Sequence, residues 1–373
     1  MMLRSRERAH DLRLALVLSL SFAVTAFVVL RNTSTECGDL LGGNSDHLRD
    51  AHGTWLFLHR GLAIYRKRFG ELAAQSTFRH AVAPWGDANW AYPPGIFAFF
   101  FPTALVGQWV PATQAQFGRW IVVYLLFFSH LALFAWVRLF RSNPLAPLWS
   151  LLALCTFVQL AFQGFHDQVW LGCAAMAGLA ARKHKPVRGL FWLSAAAIVS
   201  FRAASLLPLG AVLAHRSLRC PGPLWRRWSR LALPALVGLV DIYTFAIFLR
   251  YSPGPAERFG QFMLSNVHLW PEAKLDWAVF IASILALAVL LRLRAWLIAA
   301  ALLLAHALAV LHGVMWWHAS VLFPVAILAA VVRLREPARV SATVLVWMLV
   351  LAELVFSYEP FQLLTQIVIK WPK

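Results

Sequence analysis

Carboxylates are scarce in this chain. Of 373 residues only 16 are Asp or Glu, against 34 Lys and Arg, and charged residues make up 13% of the whole. A soluble globular chain carries about a quarter, so an ordinary water-facing surface is excluded. Cysteine is scarce as well. Cys37, Cys155, Cys173 and Cys220 form no CxxC pair or metal spacing, so neither a disulfide framework nor a zinc site is indicated. Low-complexity segments, internal repeats and a soluble domain are missing. So is the alternating ten-residue pattern of a membrane barrel.

What is present is apolar. The chain is 60% hydrophobic, with a mean hydropathy of +0.65. Apolar runs occur at 12–30, 92–110, 116–137, 146–164, 168–181, 189–214, 231–250, 277–292, 295–312, 315–333 and 340–357. About 20 such residues cross a hydrocarbon core. The pattern predicts an all-α, polytopic helical membrane protein with about 10–12 spans, forming one integral domain over residues 1–373. The first run is too long for a signal-peptide core and lacks a small-residue cleavage site, so it reads as a retained span.

The net charge of +18 would suggest nucleic acid in a soluble protein. Here the basic residues sit in short breaks between apolar runs: "RLFR", "RKHKPVR", "RSLRCPGPLWRRWSR", "LRLR" and "RLREPAR". That is the positive-inside pattern, and it points to membrane lipids as partners and away from nucleic acid. The basic start "MMLRSRERAHDLR" puts the N-terminus in the cytoplasm and residues 32–91 outside, as a long extracytoplasmic loop. Keeping all five breaks inside requires two unusual runs. Residues 187–215 must form a broken, paired helix around Phe201-Arg202, and 92–110 must dip in or lie partly outside.

The few acids are concentrated. Residues 32–91 hold Glu36, Asp39, Asp46, Asp50, Glu71 and Asp87, more than a third of the total. In "NSDHLRD" Asp46 and Asp50 stand four apart, so a helix puts them on one face; a helix N-cap is the competing use of such an Asp. The following "DAHGTWLFLHRGLAIYRKRF" suits a helix lying along a membrane surface. A charge at the bilayer centre costs roughly 2.5–3.5 kcal/mol, which singles out His166 and Asp167 in "FQGFHDQVW", Arg202, Asp241, His318 and Glu353. Asp241 and Glu353 read as ion-pair partners of neighbouring helices. His130, His306 and His312 read as core or interface histidines. "NWAYPPGIFAFFFP" fixes a rigid bend at Tyr92, and "MWWHASVLFP" sets His318 near the mouth of a late span.

Taken in order, these stretches resemble the polytopic glycosyltransferases of the GT-C superfamily, most of all glycosyltransferase family 87. The loop motif is matched by Asp46, Gly61 and Tyr65, and the Tyr-Pro-Pro motif by Tyr92, Pro93 and Pro94. Gly164 to Gln168 echo a Gly-Gln-x-Asn stretch, Arg202 stands at a lysine position, and "MWWH" keeps His318. The resemblance implies transfer of a hexose such as mannose, with inversion, from a polyprenyl-phosphate donor to a lipid or cell-envelope glycan acceptor. It implies a multi-pass protein of a bacterial inner membrane, with the site facing outside. Asp46, Asp50 and His318 are then catalytic, while Arg49, Tyr92, His166, Asp167, Gln168 and Arg202 hold the donor phosphate and substrate. No metal or other cofactor is indicated. The demands of the reaction agree: a carboxylate takes the acceptor proton, and cationic side chains meet the departing phosphate. The competing readings are a lipid or sugar transporter or flippase, which usually shows two related halves, and a structural membrane protein without catalysis.

Overall fold

The computed structural model is described over residues 2–31, 46–81, 90, 92–141, 146–162, 166–251, 284–312 and 316–332. Among these residues every element is helical and no strand occurs. In chain order the helices are α1 (Met2–Arg31), α2 (Asp46–Arg60), α3 (Ala63–Arg66), α4 (Phe69–Ala74), α5 (Gly95–Trp109) and α6 (Gln114–Phe140). Next come α7 (Ala146–Phe162), α8 (Asp167–Arg182), α9 (Pro186–Val199), a 3₁₀ helix (Phe201–Leu206), α10 (Leu207–Arg219), α11 (Leu224–Ser229) and α12 (Ala232–Tyr251). A helical stretch at 284–292 precedes α13 (Trp296–His312) and α14 (Trp316–Val331). The predicted run 340–357 lies outside the described residues.

Among the described residues two helices are long and apolar enough to cross a membrane, Ala9–Arg31 and Gln114–Phe140. At 1.5 Å per residue the second reaches about 40 Å, more than the roughly 30 Å of a hydrocarbon core. α1 shows why it is apolar: Leu12, Leu16, Leu20, Val24 and Phe27 are exposed along one side, a stripe at steps of four and three. Its other side meets α6, where His130 Nε2 lies 3.2 Å from Ser21 Oγ and Phe22 packs edge-on against Phe127. The two helices therefore run antiparallel.

Small residues set the other close approaches. A Cβ on Gly172 would lie 2.9 Å from that of Ala132, and one on Gly178 would meet both Leu139 and Ile327. These contacts make α6, α8 and α14 run parallel. Trp136, fully buried, fills the space between them against Phe140, Phe157 and Phe323.

The two runs that the charge pattern marks as unusual are both irregular. α9 ends at Ser200, whose backbone is extended (φ −149°, ψ 130°). The Ser200 hydroxyl accepts from Arg202 N–H and starts the 3₁₀ turn. α10 then doubles back, with Gly189 against Leu213 and Gly210 against Leu193. The result is a helical hairpin with Arg202 at its apex.

α5 covers only part of α6. Phe99 packs on Phe128 and accepts from the Tyr124 hydroxyl (2.6 Å), whereas Gly107 lies against Phe117. The helix starts deep along α6 and rises toward its N-terminus. The bend at Tyr92-Pro93-Pro94 makes that deep start, and Pro94 serves as the N-cap of α5.

α2 differs from a helix lying free along a surface. Leu48, Ala51 and Leu56 are buried under α5 and α6, and only its last turns carry exposed Leu58 and Arg60. Helix α2 thus belongs to a second core with Ile64, Tyr65, Phe97 and Phe100.

Candidate functional site

The second core carries charge at its centre. Arg49 and Asp50 follow each other on α2, and Asp50 is 1% exposed. Arg49 donates to Asp50 Oδ1 from Nη2 at 3.1 Å and from Nε at 3.3 Å. The same Nη2 donates to the Tyr92 hydroxyl at 3.2 Å. Its guanidinium also lies over the rings of Tyr92 and Trp90. Trp90 takes this place because Gly53 has no side chain; a Cβ there would sit 2.4 Å from the indole. Tyr92 is fixed from behind by Tyr65, which donates to its carbonyl at 3.0 Å.

His166, just before α8, closes the cluster. Its Nδ1 lies 3.3 Å from Asp50 Oδ2, off the line of a formed hydrogen bond, so the contact is electrostatic. Its ring meets Tyr92 and Phe100 edge-on. Burial pushes the Asp50 carboxyl up, but Arg49 and His166 together outweigh it and hold the group below its ordinary value. Asp50 accepts from Arg49 through Oδ1 and faces His166 with Oδ2.

A second pair adjoins the first through the chain. Asp167 Oδ1 accepts from Arg202 Nη1 and from the Trp170 indole N–H at 2.6 Å. Asp167 and Arg202 are both buried. A buried arginine is tolerable only with a counter-charge, and this one ties the hairpin apex to the first turn of α8. Gln168, on the same turn, is fully buried, and among the described residues neither of its amide atoms has a hydrogen-bond partner.

The residues singled out from the sequence are therefore distributed as follows. Arg49, Asp50, Tyr92 and His166 touch one another, and Asp167 touches Arg202. Asp46 opens α2, one turn before Asp50 and on its face; its side chain lies outside the described residues. The His318 side chain does too, although the parallel register of α14 and α8 places position 318 level with the first turn of α8. Arg202 has Asp167 as its counter-ion.

Sequence reasoning missed Trp170, Trp90 and His52. Trp170 stands three residues after Asp167, a helical spacing that could have revealed it. His52 is fully buried against Phe69 and Phe78, and burial pushes its imidazole down to about 4.

The other end of α8 is arginine-rich. Arg182 donates to Leu139 O at the end of α6, and Arg216 on α10 to Ala181 O at 3.1 Å. Arg138 pairs with Asp11 of α1 at 3.0 Å. So the breaks "RLFR", "RKHKPVR" and the start of "RSLRCPGPLWRRWSR" share one face, and the Asp50 cluster lies about 24 Å away along the 16 residues of α8. Among the described residues no three His, Cys, Asp or Glu side chains converge as a metal site. Comparison with family models, curated proteins and solved structures finds no match to this chain.

Proposed function

We propose that this chain is a multi-pass membrane glycosyltransferase of the GT-C type. It moves a hexose such as mannose from a polyprenyl-phosphate donor to a lipid or cell-envelope glycan, on the outer face of a bacterial inner membrane. The observation that carries the reading is the Arg49–Asp50–Tyr92–His166 cluster. Its members come from three distant stretches and meet at the end of α8 opposite the arginine-lined face. With basic breaks inside, that end faces out, where a lipid-linked sugar phosphate lies at the membrane boundary.

The chemistry is a single displacement. The acceptor hydroxyl oxygen bonds to the anomeric carbon as the bond from that carbon to the phosphate oxygen breaks. The polyprenyl phosphate leaves with the electron pair, and the hydroxyl proton passes to a carboxylate. Attack from the face opposite the phosphate inverts the centre. Asp50, buried and held by Arg49 below its ordinary carboxylate value, is poorly placed to take that proton. We assign the base to Asp46, one turn nearer the helix start, and give Asp50 the role of orienting Arg49 and His166 toward the phosphate. Arginine suits this because its planar fork matches phosphate oxygens. His318, level with the same turn of α8, serves the same leaving group. Asp167 and Arg202 hold the wall of the site, and Gln168 lines it.

The test uses membranes containing the protein and a panel of labelled polyprenyl-phosphate sugars. One donor yields labelled glycan, and Asp46→Asn lowers that transfer at least about a hundredfold at equal protein level, the scale of a general base. Labelled donor that crosses vesicles without forming product identifies a transporter and sinks the assignment.

A further inference from the structure

The link between α10 and α12 reads "RCPGPLWRRWSR" (Arg219–Arg230) and is built as a stiff hook. Arg230 donates to Ser217 O at 2.9 Å, Cys220 O at 3.3 Å and Pro221 O at 3.2 Å. Arg227 donates to Gly222 O at 2.9 Å. Gly222 has φ +141°, a conformation that only glycine adopts freely. The carbonyls of Ser217, Cys220, Pro221 and Gly222 are thus each engaged by an arginine of the same segment.

The outside of the hook is apolar and cationic at once. Leu224, Trp225 and Trp228 are 70%, 66% and 59% exposed. Trp225 and Trp228 stand three apart and share a face. The Arg226 guanidinium lies 5.2 Å from the Trp225 ring centroid, so charge and ring point outward together. Arg219 and Arg226 are exposed. Among the described residues no carboxylate comes within ion-pair distance of Arg219, Arg226 or Arg227. Beyond the hook the surface of α12 is bare and apolar, with Leu236, Leu239, Ile242 and Tyr243 exposed. A cationic, tryptophan-bearing band thus sits directly above an apolar one.

That sequence of bands matches one occupant. We propose that the hook binds an anionic phospholipid, with Trp225 and Trp228 at the headgroup level, Arg219 and Arg226 on its phosphate, and its acyl chains along α12. Charge complementarity selects the lipid. A zwitterionic headgroup brings its own cation to a surface already crowded with arginines, while an anionic one supplies the missing counter-charge. Tryptophan favours this depth because its ring is apolar and its N–H wet. The binding is independent of any transferase activity.

The experiment is a lipid titration of the full chain in detergent, followed by native mass spectrometry with short-chain phosphatidylglycerol and phosphatidylcholine. The wild type is expected to prefer phosphatidylglycerol at least about tenfold. R219Q/R226Q is expected to bind it about thirtyfold more weakly, from roughly 1 kcal/mol for each basic residue at such a surface. R219K/R226K keeps the binding, which separates lost charge from lost fold. K183Q/K185Q, removing exposed charge from the neighbouring break, stays within about twofold of wild type. Absence of preference in the wild type overturns the proposal. So does unchanged binding in R219Q/R226Q, an equal loss in K183Q/K185Q, or displacement of the lipid by equimolar inorganic phosphate.

Discussion

At the start of α8 arginines meet carboxylates, Arg49 with Asp50 and Arg202 with Asp167; around its end they mostly meet backbone carbonyls. Arg182, Arg216 and Arg230 all donate to carbonyls in the last turns of helices. Both arrangements offset a guanidinium, by different means. A helix C-terminus offers unpaired carbonyls and about half a negative charge at no cost in acidic residues. A helix N-terminus offers nothing of the kind to a cation, so Arg202 there requires a carboxylate. A chain with 16 acids thus concentrates several of them where helices begin. Asp11, which pairs with Arg138 near the opposite face, and Asp241, in the middle of α12, stand elsewhere.

The comparison is broken most sharply by topology. If the two ends face opposite sides of a membrane, Cys37 reacts with an impermeant maleimide in intact cells and Cys220 does so only after permeabilisation. Reversed labelling would turn the molecule over and remove the site from the outer face. Next in size is the counter-ion itself. Asp167→Asn leaves the Arg202 charge buried without its carboxylate, a change that costs about 3–5 kcal/mol and should be visible as a much lower melting temperature in detergent. Asp167→Asn/Arg202→Met should recover part of that loss. An unchanged melting temperature in the single variant would show that Asp167 is not what offsets the Arg202 charge.

Acid provides the third test. The buried His52 stays neutral down to about 4, while the same side chain in the unfolded chain takes its proton near 6.5. Stability should therefore fall as pH drops from 6.5 toward 4, by up to about 3 kcal/mol. Asp50 behaves in the same direction lower down: its depressed value adds stability above pH 3.8, lost as the carboxylate protonates below it. His52→Phe, which keeps the stacking on Phe69 and Phe78, should flatten the upper part of the curve alone. A curve unchanged by His52→Phe would mean that the imidazole is solvated. The smallest effect is expected at the other end, where Arg216→Met removes one carbonyl partner and should cost about 0.3–1 kcal/mol. A loss as large as that of Asp167→Asn would erase the distinction between the two ends.

Much of the architecture could be read from where charge interrupts apolar runs. Arg202 in the middle of 189–214 and Tyr-Pro-Pro ahead of 95–109 mark the hairpin and the partial helix, since neither fits a plain span. The candidate site was legible by residue type and hidden in its pairing. Asp46 and Asp50 look alike in sequence, and only the packing of α5 and α6 over Leu48 and Ala51 shows that Asp50 is buried. Trp90 was invisible for a similar reason: its place depends on Gly53, 37 positions earlier. The surface-helix expectation for α2 failed to anticipate that cover, because an amphipathic stripe is equally suited to lipid and to protein.

The hairpin of α9 and α10 has a consequence for how the chain is made. Both of its ends lie at the arginine-rich face, beside Lys185 and Arg219, so under the proposed multi-pass topology neither basic break has to cross a membrane during insertion. Only the apex does, and it carries one charge, Arg202. Synthesis runs from the N-terminus, so α8 and its Asp167 are in place before residue 202 leaves the ribosome. Under that topology the arginine enters the apolar layer after its counter-ion Asp167, and the order of the two residues along the chain is the safe one. A chain permuted to place the hairpin ahead of α8 would have to bring the bare guanidinium across first, at the several kcal/mol that a lone charge costs in hydrocarbon.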